Sequence, residues 1–362
     1  MRLGIIGGGQ LARMLALAAY PLGINCICID KQKDACGGQV MPLQVIDFND
    51  KEALKAFASS VDVLTYETEN LSLSAVEILA EYGNLLPHVN AIGDAQDRYT
   101  EKSLLKDLQI PTAQFFPINA VAELPVALNE LGYPAVLKTR HGGYDGRGQF
   151  IIKNLQDVDI AWQQINHNSL ILEQFINYEF EVSLIAVRSQ QGEIRYYPLT
   201  RNKHHNGILI QSDAPFENPI LKNQAQHYME ALLTKLNYVG ILTIEFFVCN
   251  NQLIANEIAP RVHNSGHWTI EGAETSQFEN HVRAIMGLPL GSTESTGFSR
   301  LFNCIGKEPA ISDILQIDNA HYHHYGKSPR EGRKVAHINV HDMDEVHLEQ
   351  SAELVQRVLS VV

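Results

Sequence analysis

The chain has 362 residues, of which 45% are hydrophobic and 19% charged, and its formal net charge is −13. That length exceeds one small core and predicts two or three domains, while the negative balance argues against nucleic acid or an anionic membrane as the main partner. The longest clean apolar run is about ten residues, too short to cross a bilayer, and the start reads directly as a strand and turn rather than as a signal peptide.

Residues 3–6 are a short apolar strand, Gly7-Gly8-Gly9-Gln10 a tight turn, residues 11–20 a helix, and residues 25–30 a second strand ending in an acid. Gly7, Gly9, Ala12 and the later Asp30 satisfy much of the dinucleotide fingerprint. The rival reading uses the same turn amides and helix N-terminus for one phosphate monoester. The five cysteines include no CxxC pair. Cys26 and Cys28 lie in an apolar run and read as packed, reduced thiols, which points to the cytoplasm. Strands follow at 44–46 and 61–65, so this third is an open parallel sheet ending near Ala95. Glu67 and Asn70, past the last strand, are pocket candidates; the alternative is a helix cap at Asn70 or Ser72.

Residues 97–102 open a helix running to about Leu108, and Ile110-Pro111-Thr112 marks a boundary. A strand at 134–139 carries Lys138, the stretch 141–148 holds four glycines, and a strand resumes at 149–153. Such a hairpin can fold over a triphosphate, with glycine amides close to the oxygens and Lys138 as the point charge. In the apolar strand 170–176, Glu173 and the amides near Phe175 and Ile176 match what adenine needs, and Glu181 could accept from ribose hydroxyls. Strands 181–187 and 193–197 pair across Gln191-Gly192. His204 and His205 lack convincing metal spacing and fit a nucleotide or substrate contact better than zinc.

The run 239–248 contains one acid, Glu245, and Glu257 lies twelve residues on. The two acids oppose each other only if the intervening loop is odd in length, with a left-handed residue near Asn251; a two-residue loop would pair Glu245 with Asn256. Hard oxygen donors beside phosphates mean magnesium. A helix spans 279–286. Strands follow at 300–305, 321–325 and 334–340, and a final helix at 343–361. Between them Lys327, Arg330, Arg333 and Lys334 read as a local anion site on an acidic protein; the alternative is a solvated hairpin tip.

The segments GGGQLARM (7–14), QDRYTEK (96–102), GGYDGRGQ (142–149), EQFI (173–176) and NEIAPRVHNSGHW (256–268) give a resemblance covering nearly the whole length. The chain resembles the ATP-grasp superfamily and, within it, the purine-biosynthesis ligases that carboxylate 5-aminoimidazole ribonucleotide with bicarbonate. The resemblance implies a mixed α/β and α+β architecture. A Rossmann-like substrate domain occupies 1–96, an ATP-grasp domain 97–296 with a glycine-loop subdomain about 112–172, and a small β-rich domain 297–362. It implies a homodimer, and ATP held by Arg98, Lys138, Gly142, Gly143, Tyr144, Asp145, Gly146, Arg147, Gly148, Glu173, Gln174, Phe175, Ile176, Glu181, His204, Asn256 and Glu257. Magnesium, as two ions, would sit at Glu245 and Glu257.

ATP would phosphorylate bicarbonate to carboxyphosphate, shielded from water by the closing glycine loop. Arg261 and Lys327 are assigned to the carboxyl and phosphate oxygens, and Asp145 and Arg147 to the amine and the reactive intermediate. His263, Asn264 and Ser265 line the pocket, and the substrate phosphate is expected on Gly8-Gly9-Gln10, with Arg333-Lys334. Arg140-His141 and Lys203-His204-His205 depart from the family pattern. The nearest rival is the formate-dependent glycinamide ribonucleotide formyltransferase, expected to carry Asp-Thr at Asn264-Ser265. Biotin carboxylase, a nicotinamide dehydrogenase (which explains only 1–30) and a non-catalytic nucleotide-binding regulator fit less of the chain.

Overall fold

The computed structural model describes residues 1–142, 148–165 and 169–361, and builds three sheets. The first is parallel, in the order β3-β2-β1-β4, from β1 (Arg2–Ile6), β2 (Asn25–Asp30), β3 (Leu43–Val45) and β4 (Val63–Tyr66). Its central strand is buried on both faces, as Leu3, Ile5 and Ile6 show, which is why it reads as a continuous apolar run rather than an alternation. Gly7 then turns with φ +94°, a region that glycine enters freely, and the helix Gln10–Ala19 starts at once.

The second sheet is antiparallel, β5-β8-β6-β7, from β5 (Phe115–Ile118), β6 (Ala135–Thr139), β7 (Gln149–Ile152) and β8 (Leu170–Gln174). It is backed by the helices Leu124–Leu131 and Asp157–Ile165, which share a core with Leu137 and Leu172.

The third sheet has nine strands. They are β9 (Phe180–Arg188), β10 (Ile194–Tyr196), β11 (Thr200–His205), β12 (Ile208–Ala214), β13 (Gly240–Cys249), β14 (Gln252–Ala259), β15 (Phe298–Ile305), β16 (Ala320–His324) and β17 (Lys334–Asp342). Their order is β14-β13-β9-β11-β12-β15-β17-β16, with β10 on β9. The C-terminal strands have their own core around Phe302, Ile338, Val340 and Val355. Their sheet is nevertheless continuous with the central one, because β15 pairs with β12. This seam is invisible from sequence, since its strands are far apart in the chain. The helix Pro219–Lys235 also escaped sequence reading. It carries a local signal, Asn218 capping the amides of Ile220 and Leu221 ahead of Pro219, but its surface is mostly polar.

The hairpin β13–β14 corrects one expectation. Its loop has two residues, Asn250 and Asn251, both with positive φ (50° and 60°), as a tight hairpin turn demands. Glu245 still faces Glu257, because the register shifts after Glu245 and leaves Asn256 as the extra residue of a bulge. The acids therefore meet through a bulge, not through an odd loop.

Candidate active site

The three sheets converge on a cavity of about 730 Å³. The N-terminal sheet contributes Gln10 and Glu67, the second sheet Lys138, the β13–β14 hairpin Glu245 and Glu257, and the loop after β16 Lys327, with Lys334 opening β17.

At the hairpin end, the β-strand alternation aims Glu245 inward. Burial, and then the facing carboxylate of Glu257, push the Glu245 carboxyl up to about 7. Arg98 approaches Glu257 at 3.8 Å, and His263 Nε2 lies 3.5 Å from Glu245. Burial holds the His263 imidazole well below its usual range, so it is neutral, and its Nδ1 meets the Ser265 hydroxyl at 2.8 Å. A buried carboxylate, Glu245, facing a partly exposed one, Glu257, with so little compensation fits a hard divalent cation. Glu181 pairs with His204 on the cavity wall. Burial works against charging His204, but the Glu181 hydrogen bond and the other carboxylates outweigh it and raise the imidazole. Tyr178 and Phe247 stack 4.5 Å apart at the same end.

Lys138 Nζ lies 2.8 Å from Glu173 Oε2, and the buried Lys102 reaches the same oxygen at 3.4 Å. Burial alone would raise the Glu173 carboxyl; the two lysines bring it down to about 2. Glu173 Oε1 is buried with no hydrogen-bond partner among the described residues, consistent with an acceptor held for a ligand. Asp97 caps the helix Arg98–Asp107 through the Tyr99 amide at 2.9 Å, and its two oxygens hold Arg140 in a fork.

At the N-terminal end the expected phosphate cradle is already filled. The Gly8 amide donates to Asp30 at 2.8 Å, and the amides of Gly9 and Ala12 donate to Glu67 at 2.5 and 3.0 Å. A substrate phosphate on the Gly8 and Gly9 amides would meet two carboxylates, which disfavours that part of the expectation, while Gln10 lines the cavity. The nearest cations are Lys327, which reaches across to Gln10, and Lys334. Arg333 does not line the cavity; it donates to the Ser328 carbonyl at 3.1 Å. Ser265 is also outside it, fully buried and 2.7 Å from Ser183 Oγ, so its expected substrate contact is corrected to a supporting role behind His263.

Arg261 lines the cavity but is forked onto Glu69 and donates to the Val262 carbonyl at 3.1 Å, leaving only part of its donors for a ligand. Asn264 lines the cavity with both amide atoms buried and unpartnered among the described residues, as a ligand-facing amide would be. Gly142 lines it too, whereas Gly148, Glu173, Gln174, Phe175 and Ile176 do not; Glu173 lies directly behind Lys138. Gly143, Tyr144, Asp145, Gly146 and Arg147 lie outside the described residues. Glu69, Glu101 and Lys102 were missed from sequence, although Glu69 stands in the same polar cluster as Glu67, and Lys102 is one helical turn from Arg98.

This geometry, with a lysine on a small antiparallel sheet facing acids on a larger one, defines an ATP-grasp ligase. The ATP-grasp domain model matches residues 103–278, the ribonucleotide synthetase preATP-grasp domain residues 1–96, and the phosphoribosylaminoimidazole carboxylase C-terminal domain residues 299–351. The N5-carboxyaminoimidazole ribonucleotide synthase of Pseudomonas aeruginosa is 46% identical over 349 residues, covering 96% of this chain and 97% of that protein. The crystal structure of the Thermus thermophilus synthetase superposes with a TM-score of 0.95 at 44% identity, covering 99% and 98% of the two chains. An Aspergillus clavatus synthase solved with ADP and 5-aminoimidazole ribonucleotide gives 0.88 at 30% identity, with 99% of each chain covered. The chain belongs to the N5-carboxyaminoimidazole ribonucleotide synthase family. The formyltransferase alternative is not favoured by these likenesses.

Proposed function

We propose that this protein uses ATP and bicarbonate to carboxylate 5-aminoimidazole ribonucleotide, releasing ADP and phosphate. The observation that carries the reading is that one cavity joins the Lys138 and Glu245–Glu257 end to the Glu67 and Lys327 end. ATP fits the first end. Lys138 and Arg98 face its phosphates, the Glu181–His204 pair its ribose, and the unpartnered Glu173 Oε1 its adenine amino group. Glu245, Glu257 and phosphate oxygens would hold magnesium, two ions in the family expectation, which supplies charge neutralisation on the transferring phosphoryl group.

Bicarbonate oxygen attacks the γ-phosphorus, the bond to ADP breaks, and carboxyphosphate forms. The substrate amine then attacks the carboxyl carbon, phosphate leaves and the amine loses a proton. Neutral His263, the unpartnered Asn264 amide and the remaining Arg261 donors surround the place where the carboxyl group must lie. Asp145 and Arg147 keep their assignment to the amine and the intermediate. The substrate phosphate is placed on Lys327 and Lys334. Glu67, whose carboxyl accepts from the Gly9 and Ala12 amides and is raised by burial despite them, then faces sugar hydroxyls rather than phosphate. No described helix is long and apolar enough to cross a membrane. Assembly as a cytoplasmic homodimer is part of the same proposal and rests on family membership.

The test is ADP release at fixed Mg-ATP with 5-aminoimidazole ribonucleotide, with and without bicarbonate. Turnover that needs both supports the reading. Turnover with glycinamide ribonucleotide and formate instead would move the chain to the formyltransferase.

A further inference from the structure

Glu173 is a buried acid with two ammonium partners on one oxygen, and the cavity reaches only one of them. Lys138 lines the cavity, whereas Lys102, 2% exposed, is sealed behind it. Lys102 is fixed by three contacts: Glu173 Oε2 at 3.4 Å, the Thr112 hydroxyl at 3.2 Å and the Asn256 carbonyl at 3.3 Å. It thus ties the helix Arg98–Asp107 to the second sheet and to the β14 bulge beside Glu257.

A single counter-ion would present a conflict. If Lys138 alone neutralised Glu173, turning its ammonium toward a triphosphate would leave a buried carboxylate without compensation. With Lys102 held at the same oxygen, Lys138 can shift its hydrogen bonds to phosphate while Glu173 stays ionised and paired.

We propose that Lys102 is a positioning residue that acts as the standing counter-ion of Glu173 and so releases Lys138 to the nucleotide phosphates. The inference rests on the placement of the nucleotide at Lys138. It explains why a lysine is spent in a place no ligand reaches, and why the same oxygen is shared rather than each lysine taking its own. The low Glu173 value agrees, since both lysines contribute to it.

The experiment measures Mg-ADP binding by calorimetry, together with the KM for each substrate. Lys102→Met is expected to weaken Mg-ADP about tenfold, because Lys138 then stays bound to Glu173, with the ribonucleotide KM moving less than about twofold. Lys102→Met combined with Glu173→Gln removes the acid that traps Lys138, and its amide oxygen can still accept; affinity should return to within about threefold of the parent. A purely structural lysine would not be rescued by removing its partner.

Parent-like Mg-ADP affinity in Lys102→Met overturns the proposal, as does a double variant as weak as the single one. If Lys102→Met does not fold, Lys102→Arg decides. It keeps the counter-ion and should bind within about threefold, and a tenfold loss contradicts the proposal. Lys138→Met separates the two levels: parent-like binding there would sink the nucleotide placement itself, whereas a loss there without one in Lys102→Met sinks only the role of Lys102.

Discussion

The two ends of the cavity hold buried charge by different means. At the Glu67 and Lys327 end, Asp30 and Glu67 are fixed by backbone amides of the turn between β1 and the first helix. At the Lys138 end, charge is balanced between side chains, Glu173 with Lys138 and Lys102 and Glu181 with His204, while Glu245 and Glu257 face each other as like charges. Amide-held carboxylates are rigid, and their placement depends on glycine geometry. Side-chain pairs can exchange partners when a polyanion and a cation arrive. The first design suits recognition of a neutral sugar, the second a ligand that brings its own charges.

The largest effect should come from the nucleotide end. Glu257→Gln removes one of the two acids proposed to hold magnesium and should cut turnover roughly a hundredfold or more, with the melting temperature little changed, as read in the ADP-release assay and a thermal melt. Next comes the turn. A Cβ on Gly9 would lie 2.4 Å from Glu67 Oε1, so Gly9→Ala must displace that carboxylate. It should raise the ribonucleotide KM about tenfold while leaving ATP affinity unchanged. Equal effects on both substrates would erase the distinction between the two ends.

Glu69→Gln takes away the charged partner of Arg261. It should lower kcat several-fold and shift the melting temperature down, because a guanidinium is left without its fork.

The smallest effect is on pH dependence. Burial first, with Glu257 adding, pushes the buried Glu101 carboxyl up to about 8 against 4.5 in a free chain. The folded state therefore holds this proton more tightly than the unfolded one. Its contribution to stability is complete below 4.5 and is lost as pH rises through about 8. The parent should thus lose melting temperature relative to Glu101→Gln as pH rises from 4.5 to about 8, and parallel curves over that window would contradict the assignment.

Much of this was legible locally. The strand at 25–30, the turn at Gly7 and the helix opening after Asp97 all follow from spacing and residue type, and the two acids were singled out by residue type although spacing did not predict how they meet. What escaped was long-range. Arg261 meets Glu69 across 192 residues and Lys327 meets Gln10 across 317, pairings that no window along the chain displays. The occupants of the glycine turn escaped for the same reason: the Gly8 and Gly9 amides looked vacant, and the carboxylates that accept from them come from other strands. The bulge at Asn256 likewise depends on strand register, which a loop length alone cannot set.

The central claim is that ATP phosphorylates bicarbonate in this cavity. The most direct measurement is turnover with ¹⁸O-labelled bicarbonate, followed by mass analysis of the phosphate released. If bicarbonate oxygen attacks the γ-phosphorus, each phosphate carries one label from bicarbonate. Unlabelled phosphate, with turnover still dependent on bicarbonate, would contradict the account.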